Sequence, residues 1–111
     1  MSRSARPVHE VKANLFRVLG HPARVRILEL LRDGERSVGA LQKELGLDSG
    51  GTSQHLAALR RIGLVESRKE GTSVHYRASD PQVFALLDVG RELVARSLRE
   101  QQELLEELAT E

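Results

Sequence analysis

Apolar positions recur at helical spacing from Val8 to Leu19, through Val11, Leu15, Phe16 and Val18, and Gly20 marks the stop. His21-Pro22 opens a second apolar segment, with Val25, Ile27, Leu28, Leu30 and Leu31, that runs to Asp33-Gly34. Ser37 reads as the N-cap of a short third helix with Val38, Leu41 and Leu45 inward and Gly46 as its end. After the linker LDSGG, a fourth helix carries Leu56, Leu59 and Ile62 on one side. Beyond Gly63 the pattern changes to two strands, about Leu64 to Lys69 and Ser73 to Ala78, turning around Glu70-Gly71-Thr72. Past Asp80-Pro81, the residues Val83, Leu86, Leu87, Val94, Leu98, Leu105 and Leu108 form an apolar stripe on a long last helix. The expected architecture is mainly α with one β-hairpin: a basic, flexible arm over residues 1–7 and a single domain over 8–111, whose last helix spans 82–108.

At 111 residues the chain can bury one modest core. Its aromatics are Phe16, Phe84 and Tyr76, so that core must be built from aliphatic side chains, and such a domain often completes itself by pairing with a second copy. The absence of cysteine excludes disulfides, thiolate metal sites and Cys nucleophiles. No run is long and apolar enough for a membrane span, and the first ten residues lack the apolar middle of a signal peptide, so a cytoplasmic protein with no membrane contact is expected. The net charge of +1 hides an asymmetry: residues 1–79 hold 14 Lys/Arg against 8 Asp/Glu, and residues 80–111 hold 3 against 8. The first part would attract a polyanion and the tail would repel one.

The third and fourth helices, separated by a short glycine-containing turn, have the order of a helix-turn-helix. In that motif the second helix lies in the DNA major groove with its N-terminal residues at the base edges. Thr52, Ser53, Gln54 and His55 form a polar front suited to this, since Gln pairs with adenine and Ser or Thr with several base edges. Arg60 and Arg61 lie near the exposed side, where they would contact phosphates. The cationic hairpin adds Arg68, Lys69, Thr72, Ser73, His75 and Arg77 as a wing against the adjacent backbone or minor groove. Taken singly these are an exposed helix start and solvated faces; their succession favours double-stranded DNA.

HPARVRILELL, SVGALQKELGL and TSQHLAALRRIGLVESRKEGTSVHYR together resemble the ArsR/SmtB family of winged helix-turn-helix repressors, over almost the whole chain. The most specific pieces are His21-Pro22 with Arg24 and Ile27-Leu28, and the run Ser53, Gln54, His55, Leu56, Leu59, Gly63, Leu64 and Val65. The resemblance implies a homodimer through the first and last helices, here Val11, Leu15, Leu19, Leu87, Val94 and Leu98, and a palindromic operator. It also implies effector-responsive DNA binding, commonly through a metal. The thiolate site of such proteins has no counterpart in ERSVGAL, and in their last-helix site only Asp80 matches, with Gln82, Leu93 and Arg96 where ligands would stand.

One weaker constellation remains. Asp88 and Glu92 share a helical face, and His9 could reach them across a dimer seam, a set suited to nickel, zinc or cobalt, although paired acids on an exposed helix are ordinarily solvated. An enzyme is not expected: there is no Gly-rich phosphate loop, no nucleophile elbow and no His/Asp/Ser arrangement. The competing reading is a co-regulator whose acidic, leucine-bearing tail, Glu92 to Glu111, docks on another protein.

Overall fold

The computed structural model describes residues 6–111, so most of the arm expected over residues 1–7 lies outside the described residues. Helix α1 (Val8–Leu19) is followed by α2 (Pro22–Leu30), whose end tightens into a 3-10 turn at Leu31–Asp33. Strand β1 (Arg36–Ser37), α3 (Val38–Leu45), α4 (Ser49–Arg61), β2 (Val65–Glu70), β3 (Ser73–Ala78) and α5 (Gln82–Ala109) complete the chain.

The caps explain the boundaries. Pro22 occupies the first turn of α2, where its missing N–H costs nothing, and His21 Nδ1 accepts from the Ala23 amide at 3.1 Å. Ser37 Oγ accepts from the Ala40 amide at 3.1 Å and starts α3, which Gly46 ends at φ 67°, a backbone angle that favours glycine. Asp48 caps α4 by accepting from the Gly51 amide at 2.7 Å. The stretch expected as a linker is therefore cap plus first helical turn, and α4 starts three residues before Thr52.

Strands β2 and β3 pair antiparallel from Val65↔Ala78 to Glu70↔Ser73, leaving Gly71 and Thr72 as a two-residue turn with Gly71 at φ 62°. Two-residue β1, which the pattern did not predict, pairs with β3 and gives the sheet order β1-β3-β2. Ile27, Leu28, Leu41, Leu56 and Leu59 are fully buried, with Val65 and Tyr76 from the sheet and Val83 from α5 closing the core. Past Leu87 the last helix leaves the body, and Val89, Leu93, Val94, Leu98, Leu104, Leu105 and Leu108 are exposed. Among the described residues no helix is long and apolar enough to cross a membrane.

Candidate nucleic-acid interface

Helices α3 and α4 pack together across the turn Gly46–Asp48, and α4 drives Leu56 and Leu59 into the core. Its opposite side is polar. Ser49, Gly50, Ser53, Gln54, Arg60 and Arg61 are exposed, and at 100° per residue they fall within a sector of roughly 140°. That sector is a helix face free to enter a groove. Ser49 and Gly50 were not among the expected contacts, because Gly-Gly reads as linker and not as the start of a helix.

Two expected contacts do not belong to this face. Thr52 is fully buried and its hydroxyl donates to the Asp48 carbonyl at 2.9 Å, because it lies inside the helix one turn before Leu56, on the inward face of α4. His55 is half-buried behind the helix: its Nδ1 accepts from Arg24 Nε at 3.2 Å, and its ring centroid lies 4.3 Å from that of His21. Burial lowers its pKa from the ordinary imidazole value, and His21 and Arg24 push the same way, which disfavours the charged form that a phosphate contact would use.

The wing is less cationic than its sequence suggests. Arg68 forms a two-pronged ion pair with Glu35, Nη2 to Oε1 at 2.6 Å and Nε to both oxygens at 2.9 Å, and lies 3.5 Å from Glu70. This contact holds the Glu35 carboxyl below its usual range. Arg77 pairs with Glu66 directly across the two strands at 2.6 Å, and half-buried His75 lies 3.8 Å from Glu35 and 3.7 Å from Glu70. Exposed Lys69, Thr72 and Ser73 surround the turn, and Lys69 has no ion-pair partner among the described residues. Arg60 Nη1 donates to Ser67 Oγ at 3.3 Å, tying the end of α4 to the wing.

The expected dimer positions divide into two sets. Leu19 is buried, and Leu15 and Leu87 pack against the core, so these three contribute to the protomer, and Leu19 and Leu87 also reach the floor of an apolar groove. Val11, Val94 and Leu98 are 50%, 60% and 59% exposed, and Phe16, Leu93, Val94 and Leu98 line an open apolar groove of about 930 Å³ between α1, α2 and α5.

Asp88 stands on the rim of that groove as the partner of Arg32, at 2.7 Å and 3.3 Å. Among the described residues no group of three or more His, Asp or Glu could hold a metal ion. Within one protomer His9, Asp88 and Glu92 therefore do not fit a metal.

This architecture recurs in known proteins. The model of the bacterial regulatory proteins of the arsR family matches residues 21–67. The HTH-type transcriptional regulator Rv0081 of Mycobacterium tuberculosis is 44% identical over 103 residues, 92% of this chain and 90% of the relative. Its crystal structure superposes with a TM-score of 0.81, covering 87% of this chain and 98% of that one at 43% identity. The transcriptional activator HlyU of Vibrio cholerae is 43% identical over 75 residues, 68% of this chain and 69% of its own. The solution structure of the homodimeric winged helix-turn-helix DNA-binding domain Mb0332 from Mycobacterium bovis matches with a TM-score of 0.71 at 32% identity, covering 86% of this chain and 90% of that one. The fold is a winged helix-turn-helix, its relatives are transcriptional regulators and not enzymes, and the chain belongs to the arsR family of bacterial regulatory proteins.

Proposed function

We propose that this protein is a homodimeric, sequence-specific regulator that reads a palindromic operator with α4 and steadies itself on the flanking backbone with the β2–β3 turn. The observation that carries the reading is the single exposed polar face of α4, Ser49, Ser53 and Gln54 at its front and Arg60 and Arg61 at its rear, beside a wing whose tip leaves Lys69 unpaired. Serine and glutamine side chains at the front of such a helix can reach base edges, while arginines at its rear reach phosphates. Two copies related by a dimer axis would present their α4 helices to half-sites about one helical turn, roughly 34 Å, apart.

The test is a titration of pure protein into its own upstream DNA, followed by anisotropy, first in EDTA and then with nickel, zinc or cobalt. Specific binding in EDTA supports the reading. Specific binding that appears only with another protein would replace it with the co-regulator. A metal-induced shift of about tenfold, close to 1.4 kcal/mol of coupling, would show a ligand set completed between protomers. Gln54→Ala is expected to weaken discrimination at one base pair of each half-site by about 1–3 kcal/mol; an unchanged preference across operator variants would remove Gln54 from the readout.

The wing contributes affinity and not sequence. Lys69→Ala is expected to weaken all sequences alike and to reduce the slope of log K against log salt by about 1 per protomer. Arg68→Ala is expected to change that slope less, because Glu35 and Glu70 already neutralise its guanidinium. Equal slopes for the two variants would show that Arg68 abandons Glu35 when DNA is bound.

A further inference from the structure

The two most specific stretches of the sequence meet in space at His21, Arg24 and His55, and these three side chains lie off the face that Ser53 and Gln54 offer to DNA. Arg24, on α2, reaches in two directions. Its Nε donates to His55 Nδ1 on α4 at 3.2 Å, and its Nη1 donates to the Val18 carbonyl in the last turn of α1 at 3.2 Å. One half-buried guanidinium therefore joins the helix that borders the apolar groove to the helix that carries the polar face. His21 closes the arrangement from the front of α2: its own Nδ1 is fixed by the Ala23 amide, and its ring lies against that of His55.

Arginine has no acceptor and does not lose its proton near neutral pH, so the contact exists only while His55 Nδ1 carries a lone pair. That places the proton of the neutral ring on Nε2. A second proton, on Nδ1, would set two donors against each other at hydrogen-bonding distance and put a positive charge beside another. The charged or titratable groups that act on His55 are His21 and Arg24, both from the α2 side; α1 contributes the uncharged Val18 carbonyl to the same guanidinium. No carboxylate is among them to stabilise the imidazolium.

We propose that Arg24 is a positioning residue for the recognition helix, and that a proton on His55 releases this hold, so that operator binding requires deprotonated His55 and weakens on acidification. The effect on operator binding rests on the DNA-binding function proposed above; the Arg24–His55 contact does not. By linkage, if the bound state needs the clamp closed, binding expels a proton from His55, and affinity falls as pH drops through the pKa of His55, which burial, His21 and Arg24 hold below the ordinary imidazole value. The direction is diagnostic. Acidification otherwise adds positive charge to a protein meeting a polyanion, which strengthens binding.

The experiment measures operator affinity from about pH 8 to about pH 4.5, so that the scan extends below the ordinary imidazole range in the direction of the His55 shift, at fixed salt, for the natural chain, His55→Gln and Arg24→Ala. The natural chain is expected to lose affinity by about tenfold, the effect of one pKa unit of difference between free and bound states. His55→Gln keeps an oxygen that can accept from Arg24 but does not titrate, so its profile is expected to lose the decline. Arg24→Ala is expected to bind more weakly at the upper pH and to show no such decline. Histidine ¹⁵N shifts of the free protein supply a reading that needs no DNA: His55 should be protonated on Nε2 at the upper pH. A natural chain whose affinity is flat or rises on acidification, a His55→Gln profile that still declines, or a His55 proton on Nδ1 at the upper pH each overturns the proposal. Absence of any specific DNA binding at the upper pH would overturn the functional reading instead, leaving the nitrogen shifts to decide the clamp.

Discussion

Val94→Glu together with Leu98→Glu is expected to leave the protein monomeric at micromolar concentration and to lower operator affinity by about 10²-fold or more. Both side chains line the groove between α1, α2 and α5 and are 60% and 59% exposed in the single chain, so neither contributes much to the folding of a protomer. In a two-fold dimer the same patch appears twice, so each substitution strikes the seam at two places. Each loses about 1.5–3 kcal/mol of apolar burial and brings a carboxylate into a surface it cannot leave without opening the seam. A monomer would then meet one half-site at a time and lose the effective concentration that a joined second α4 supplies. Sedimentation measures the first effect and anisotropy on the operator the second. A variant that stays dimeric would move the interface elsewhere; a monomeric variant with undiminished affinity would break the link between pairing and DNA reading.

The helices were legible because each carries its own punctuation: Pro22 and Gly46 sit where capping chemistry wants them, and Leu41, Leu56 and Leu59 recur at helical spacing and are buried. The β2–β3 hairpin was legible for the same reason, with Gly71 in its two-residue turn. What escaped was set at longer range or against local propensity. Gly50-Gly51 opens α4 although glycine is a poor helix former, because Asp48 satisfies the free amide of Gly51; Thr52 is thereby inside the helix and shares the buried face of Leu56. Glu35 and Arg68 are 33 residues apart, and no periodicity signals that one neutralises the other. Helical spacing likewise could not separate Leu19, which packs within the protomer, from Val11 and Val94, which do not.

Leu56→Ala is expected to destabilise the folded protomer by about 2–5 kcal/mol, through lost transfer free energy and the cavity left behind. Leu56 is fully inaccessible and anchors the recognition helix to a core that includes Leu41 and Ile27. Against a total stability of about 5–15 kcal/mol for a domain of this kind, that loss is a large share of the folding free energy, and at the lower end of the range it removes most or all of it. Leu104→Ala is the counterpart: the residue is 60% exposed on the free end of α5, so the expected change in the protomer is within about 0.5 kcal/mol. Denaturant titrations should use the Val94→Glu, Leu98→Glu chain as host, because pairing adds a concentration-dependent term that would mask the difference. In that background a cost below about 1 kcal/mol for Leu56→Ala would mean that α4 is held by its caps and the Arg24 contact and not by burial. A cost in the expected range would mean that the geometry of DNA reading is fixed from beneath by the aliphatic core, with Arg24 adjusting a helix already anchored.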